Sequence, residues 1–294
     1  GDCEDESIIH HCITVFSDLI DDFNESLVIK FNQISEFLLK NKNSSGSLIT
    51  LSKLIKSVNK TPDYFTNIID SLLLNLKSQE KVKSTDILKC INSCFSSGIT
   101  LISPFDKPSD SATKVFEMII EKMNSNEFDY ELPILLKILG NLVFYSPELI
   151  KNNLDKIINI CLLCLKNSNA SLESIKCIRN IATCLPDSIL PYLSVISKPM
   201  LNFIKKIRPE MLEDLDNTTV VILYRYKIVQ CICQFGLTND EFAEKYGELL
   251  WESFNNNSEY FVLASSSANF FAKRGFPIDA FLDKWQFFYN QQMN

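Results

Sequence analysis

The chain has 294 residues, of which 46% are hydrophobic and 22% charged, the composition of a folded protein with a large core and far from the disordered regime. Twenty-nine Lys and Arg against 36 Asp and Glu leave a net charge of −7, which argues against a surface that grips a phosphate backbone broadly, so direct nucleic-acid binding is not expected. The length leaves room for one or two domains or for one array of repeats.

Gly1, not methionine, comes first and is followed by Asp2, Glu4, Asp5 and Glu6, unlike the basic start of a secretory signal; a processed chain or, in preference, a fragment of a longer one is expected. His10 and His11 are the only histidines, so histidine-based catalysis would depend on that end alone. The seven glycines are too scattered to build a phosphate-cradling loop,. The longest wholly apolar run, Ile160 to Leu165, falls far short of the roughly 20 residues of a membrane-spanning helix, and no membrane insertion is expected. Ten cysteines sit mostly among apolar residues; Cys161-Leu-Leu-Cys164 has neither a knuckle of turn residues nor a histidine nearby. Reduced, buried thiols are expected, with no metal and no cofactor.

Apolar residues recur at helical spacing throughout, which predicts an all-α protein. Proline and clusters of Asn, Ser and Asp punctuate the pattern, as at Asn59 to Pro62, Ser103 to Ser111, Ser146-Pro147 and Pro186-Asp187,. Six segments then align on an internal apolar core: Lys53 to Ser57, Lys89 to Ser93, Lys137 to Asn141, Lys176 to Asn180, Lys227 to Cys231 and Ser265 to Asn269. Their offsets are 36, 48, 39, 51 and 38 residues, a mean of about 42, the period of two-helix HEAT and armadillo-type units. Each aligned core is read as the second, B, helix of a pair. A helices are expected to start near Pro62, Ser111, Pro147, Ser188 and Asn239, and B helices near Ser84, Leu132, Leu172, Thr218 and Glu259. One such unit cannot bury both faces of its helices, so neighbours must stack. Residues 1–294 are expected to form a single superhelical solenoid of about six to seven repeats.

The stretch from Glu173 to Ile207 carries the core Ile178-Arg179-Asn180-Ile181, then Pro186, Pro191 and Pro199. It resembles a repeat near the C-terminal end of importin-β and transportin type karyopherins, in which a proline closes the B helix and two more follow at this spacing. Pro199 is placed inside an A helix running from Ile189 to Ile207, where a bend is expected. The resemblance implies a binding module with no enzymatic activity: the cargo-binding part of a nuclear transport receptor, working in cytoplasm and nucleus. It implies that B helices line the concave, cargo-facing surface, that basic or extended segments of cargo proteins bind there, and that the GTPase Ran binds repeats missing from these 294 residues.

Lys137 with Asn141 and Lys176 with Asn180 are pairs four residues apart, hence on one helix face opposite Ile138, Leu142, Ile178 and Ile181. Together with Glu173 and Asn269 they are the candidate partner-binding residues; the competing reading is an ordinary polar ladder inside the stack. Asp86, Glu131, Glu173, Asp216 and Glu259 stand at or near B-helix starts, where the helix dipole favours them, and an acidic ridge facing basic peptide is the functional alternative. Glu210, Glu213, Asp214 and Asp216 form an acidic loop that would compete with basic cargo. A different HEAT-repeat scaffold or tubulin-binding adaptor is the rival reading, with its contacts in the loops inside each repeat.

Overall fold

The structure, a computed structural model, describes residues 6–22, 29–58, 60–78, 84–97, 110–124, 130–166 and 169–192, together with Val195, Ile196, Pro199, Ala272 and Gly275. The described residues contain eleven α-helices and no strand, so the protein is all-α as its periodicity requires. Two compact units divide at Asn152 and Asn153.

The first unit contains α1 (Glu6–Asp22), α2 (Phe31–Lys40), α3 (Ser45–Ser57), α4 (Thr66–Ser78), α5 (Ser84–Ser96), α6 (Asp110–Asn124), α7 (Leu132–Tyr145) and the short α8 (Pro147–Lys151). Odd-numbered helices pack in series, α1 on α3, α3 on α5 and α5 on α7. Even-numbered helices pack against their successors, α2 on α3, α4 on α5 and α6 on α7. α5 is therefore covered by α3, α4 and α7, and from Asp86 to Phe95 Lys89 is its one exposed residue. In α7, Leu135, Leu136, Ile138, Leu139, Leu142 and Val143 are buried while Lys137 stays in solvent.

Prolines set several boundaries. Thr61 and Ser146 precede Pro62 and Pro147 in non-helical backbone, with ψ of 158° and 62°, because the proline ring disfavours helical geometry in the residue before it. Each proline then occupies the start of the next helical segment, where a missing N–H costs nothing. At Pro62 that segment is a 3-10 turn (Pro62–Phe65) leading into α4. Its Tyr64 and Phe65 rings meet Phe31 of α2 at centroid distances of 5.5 and 5.8 Å.

The second unit contains α9 (Leu154–Cys164), α10 (Ser171–Cys184) and α11 (Pro186–Ile189) followed by a 3-10 turn, Leu190–Tyr192. α9 packs on α10, and Ser174 Oγ donates to the Cys161 carbonyl at 2.6 Å. The X-Pro device recurs at Leu185-Pro186, where Leu185 has ψ of 55°. Two expected A helices differ from the reading of the sequence. The one starting at Pro147 is divided into α8 and α9 by Asn152 and Asn153, both poor helix formers. The one read as continuous from Ile189 to Ile207 passes from α-helix into a 3-10 turn at Leu190, where Pro191 has no N–H to give the carbonyl four residues back. The bend expected in that helix and the A and B helices expected near Asn239, Thr218 and Glu259 lie outside the described residues.

Candidate partner-binding face

Polar side chains join the odd-numbered helices of the first unit across the stack. Lys53 Nζ donates to Ser17 Oγ at 3.0 Å, linking α3 to α1. Ser52 Oγ and Ser93 Oγ share a 2.6 Å hydrogen bond between α3 and α5. Asn141 Nδ2 donates to Asn92 Oδ1 at 3.0 Å between α7 and α5, and Tyr145 OH donates to the Ser97 carbonyl at 2.5 Å. Ser97 Oγ in turn donates to the carbonyl of Ile55 at 3.2 Å. These partners are separated by 36, 41, 49, 48 and 42 residues, close to the offsets between the aligned sequence segments.

They also set the helix registers. From α5 to α7 the offset is 48 to 49 residues, which brings Lys137 level with Lys89 as the aligned sequence segments place them. From α3 to α5 it is 41 to 42, whereas the alignment of Lys53 with Lys89 uses 36. Lys53 accordingly stands more than one turn beyond the level of Lys89.

Among the candidate residues, Lys137 is exposed on α7 and Asn141 is half-buried, its amide turned to Asn92. In the second unit Glu173 accepts from Lys176 Nζ at 2.6 Å. Asn180 is buried, and its Oδ1 accepts from Arg179 Nη2 at 2.9 Å. Lys137 and Asn141 thus belong to one unit and Glu173, Lys176 and Asn180 to the other. Asn269 and the acidic loop Glu210, Glu213, Asp214 and Asp216 lie outside the described residues.

The carboxylates at B-helix starts have lysine partners. Asp86 meets Lys89 at 3.1 Å, Glu131 meets Lys122 at 2.8 Å, and Glu173 meets Lys176. Ser84 also donates to Glu131. Asp216 and Glu259 lie outside the described residues. Asn92 and Ser52 were missed as cross-stack partners; the signal available was Asn92 beside Ser93, which the alignment pairs with Asn141.

Seven described cysteines are free thiols, and Cys90, Cys94, Cys161, Cys164 and Cys177 are buried. Burial raises the pKa of Cys90, with nearby Lys56 opposing it, and raises that of Cys94. A hydrogen bond with Cys161, then burial, raises that of Cys177. Thiolates, the nucleophilic and metal-binding form, are disfavoured at these positions. Among the described residues no three His, Cys, Asp or Glu side chains converge to hold a metal, and no helix is long and apolar enough to cross a membrane. Burial pushes half-buried Cys184 up to about 11. Its alkylation by iodoacetamide in native protein is expected to accelerate about tenfold per pH unit from about pH 8 towards that value. Site-resolved mass spectrometry checks this; a rate already level near pH 9 would contradict it.

No protein-family model, curated protein or solved structure matches this chain.

Proposed function

We propose that the chain is a HEAT-type α-solenoid that holds another protein along the odd-numbered helices α1, α3, α5 and α7. The observation that supports this reading is the packing of those helices in series, cross-linked by hydrogen bonds close to the offsets between the aligned segments while Lys89 and Lys137 remain in solvent. A row of equivalent helices offers one recognition position per repeat, the arrangement by which solenoids bind extended partners. The resemblance at Glu173 to Ile207 supports the further proposal that the module is the cargo-binding part of a nuclear transport receptor, acting in cytoplasm and nucleus, with Ran engaged by other repeats.

Photo-crosslinking in cells tests the reading. Benzoylphenylalanine replaces Lys89 or Lys137 on the proposed face, and Leu74, 68% exposed on α4, as the contrasting site. The same proteins should be captured from positions 89 and 137 and not from 74, and transport cargo should be among them. Equal capture from all three overturns the partner face. Shared capture of cytoskeletal or scaffold proteins alone overturns the transport assignment and leaves the binding module.

A further inference from the structure

Charge is divided unevenly among the helices of the first unit. α3, α5 and α7 carry Lys53, Lys56, Lys89 and Lys137 against a single carboxylate, Asp86. α2, α4 and α6 instead have five carboxylates and four lysines. α1, at the head of the odd-numbered row, carries four carboxylates and no Lys or Arg, so in a chain of net charge −7 the positive charge is gathered on α3, α5 and α7.

Lys56, Lys89 and Lys137 are exposed. Lys56 and Lys137 make no ion pair with a described residue. Lys89, with its side chain 62% exposed, meets Asp86 across one turn of helix, an exposed pairing that holds it weakly. The Lys56 ammonium acts electrostatically on buried Cys90 of α5, and by the α3–α5 bonds Lys56 stands eight to nine residues beyond the level of Lys89. The groups joining these helices, Ser52 with Ser93 and Asn92 with Asn141, are neutral and supply no counter-charge. Lys89 and Lys137 stand level on neighbouring helices, whose axes in packed pairs lie about 8–10 Å apart.

We propose that α3, α5 and α7 bind an acidic, extended segment of a partner protein, with carboxylates seated on Lys56, Lys89 and Lys137. The proposal rests on the partner-face reading above and gives the partner the opposite charge to the basic segment expected from the sequence, since Asp86 and Glu131 are already matched by lysines. A polyproline II segment has three residues per turn and rises about 3.1 Å per residue, so every third side chain returns to the same side after about 9 Å. Carboxylates at i and i+3 therefore match Lys89 and Lys137, which stand level on adjacent helices.

Fluorescence anisotropy titrations of the full chain test this with three labelled probes: a Glu-Pro-Pro repeat peptide, a Lys-Pro-Pro peptide of equal length, and a single-stranded oligonucleotide. The Glu-Pro-Pro peptide should bind, more weakly at about 200 mM than at about 50 mM salt, because exposed charges are screened. The triple variant Lys56→Gln, Lys89→Gln, Lys137→Gln should weaken it about tenfold or more. The corresponding triple Arg variant should retain binding, as should Lys40→Gln with Lys77→Gln, which removes charge from α2 and α4. Preference for the Lys-Pro-Pro peptide overturns the assigned charge and leaves the partner face standing. Oligonucleotide binding that the triple Gln variant abolishes overturns both. Absence of Glu-Pro-Pro binding, or binding indifferent to the triple Gln variant, overturns the proposal, while crosslinking from positions 89 and 137 decides the partner face separately.

Discussion

Phe95→Ala is expected to lower stability by about 3–5 kcal/mol, the range for removing a large aromatic ring from a packed core. Phe95 lies in the last turn of α5, has no exposed surface, and meets the Tyr145 ring edge-on at 5.8 Å and 73°. Loss of the ring removes its own burial and one wall of the site holding Tyr145, whose hydroxyl bonds the Ser97 carbonyl. Both α5 and α7 are affected, so the damage should spread along the row of odd-numbered helices. Urea unfolding gives the cost, and hydrogen exchange locates it: amides of α5 and α7 should lose protection first. Burial also holds the Tyr145 phenol above its usual pKa, so the unfolded chain releases this proton first and native stability declines as pH rises past about 10. In Phe95→Ala, water entering the cavity should move the Tyr145 titration back towards that value. A cost below about 1 kcal/mol would mean that the site collapses around the missing ring.

Glu131→Ala is expected to cost about 3–5 kcal/mol, as removal of one partner from a buried ion pair does. The Glu131 and Lys122 side chains are 5% and 16% exposed. Glu131 receives Lys122 from the end of α6 and Ser84 from the start of α5, immediately before α7 begins. Truncation strands the Lys122 ammonium in a poorly hydrated site without this carboxylate and loosens three helix ends together. The double variant Lys122→Met with Glu131→Leu should recover most of the loss, because apolar groups of similar size need no compensation for buried charge. Urea midpoints of the single and double variants decide it. A loss no greater than the 0–1 kcal/mol or so of an exposed pair would show that water reaches the site.

The sequence by itself determined the helical class and several boundaries. B helices expected near Ser84, Leu132 and Leu172 begin at Ser84, Leu132 and Ser171. These features are local: a 3.6-residue apolar period and prolines before which helical backbone is disfavoured need no tertiary information. Register was legible only in part. The sequence offset of 48 from Lys89 to Lys137 agrees with the α5–α7 bonds, but that of 36 from Lys53 to Lys89 differs from the 41 to 42 residues spanned by the α3–α5 bonds. Apolar periodicity looks much the same after one helical turn is slipped, and only the meeting of Ser52 with Ser93 and of Ser97 with the Ile55 carbonyl selects one setting. Tertiary structure likewise decided which charges remain available to a partner. Glu131 reads in sequence as another acidic helix start, yet its lysine comes from nine residues back and its serine from 47. Asn141 reads as an outward polar residue, yet its amide bonds Asn92 on α5. Hydrogen-bond and ion-pair partners brought together across a stack depend on how the helices pack, and the 3.6-residue period within each helix carries no record of that.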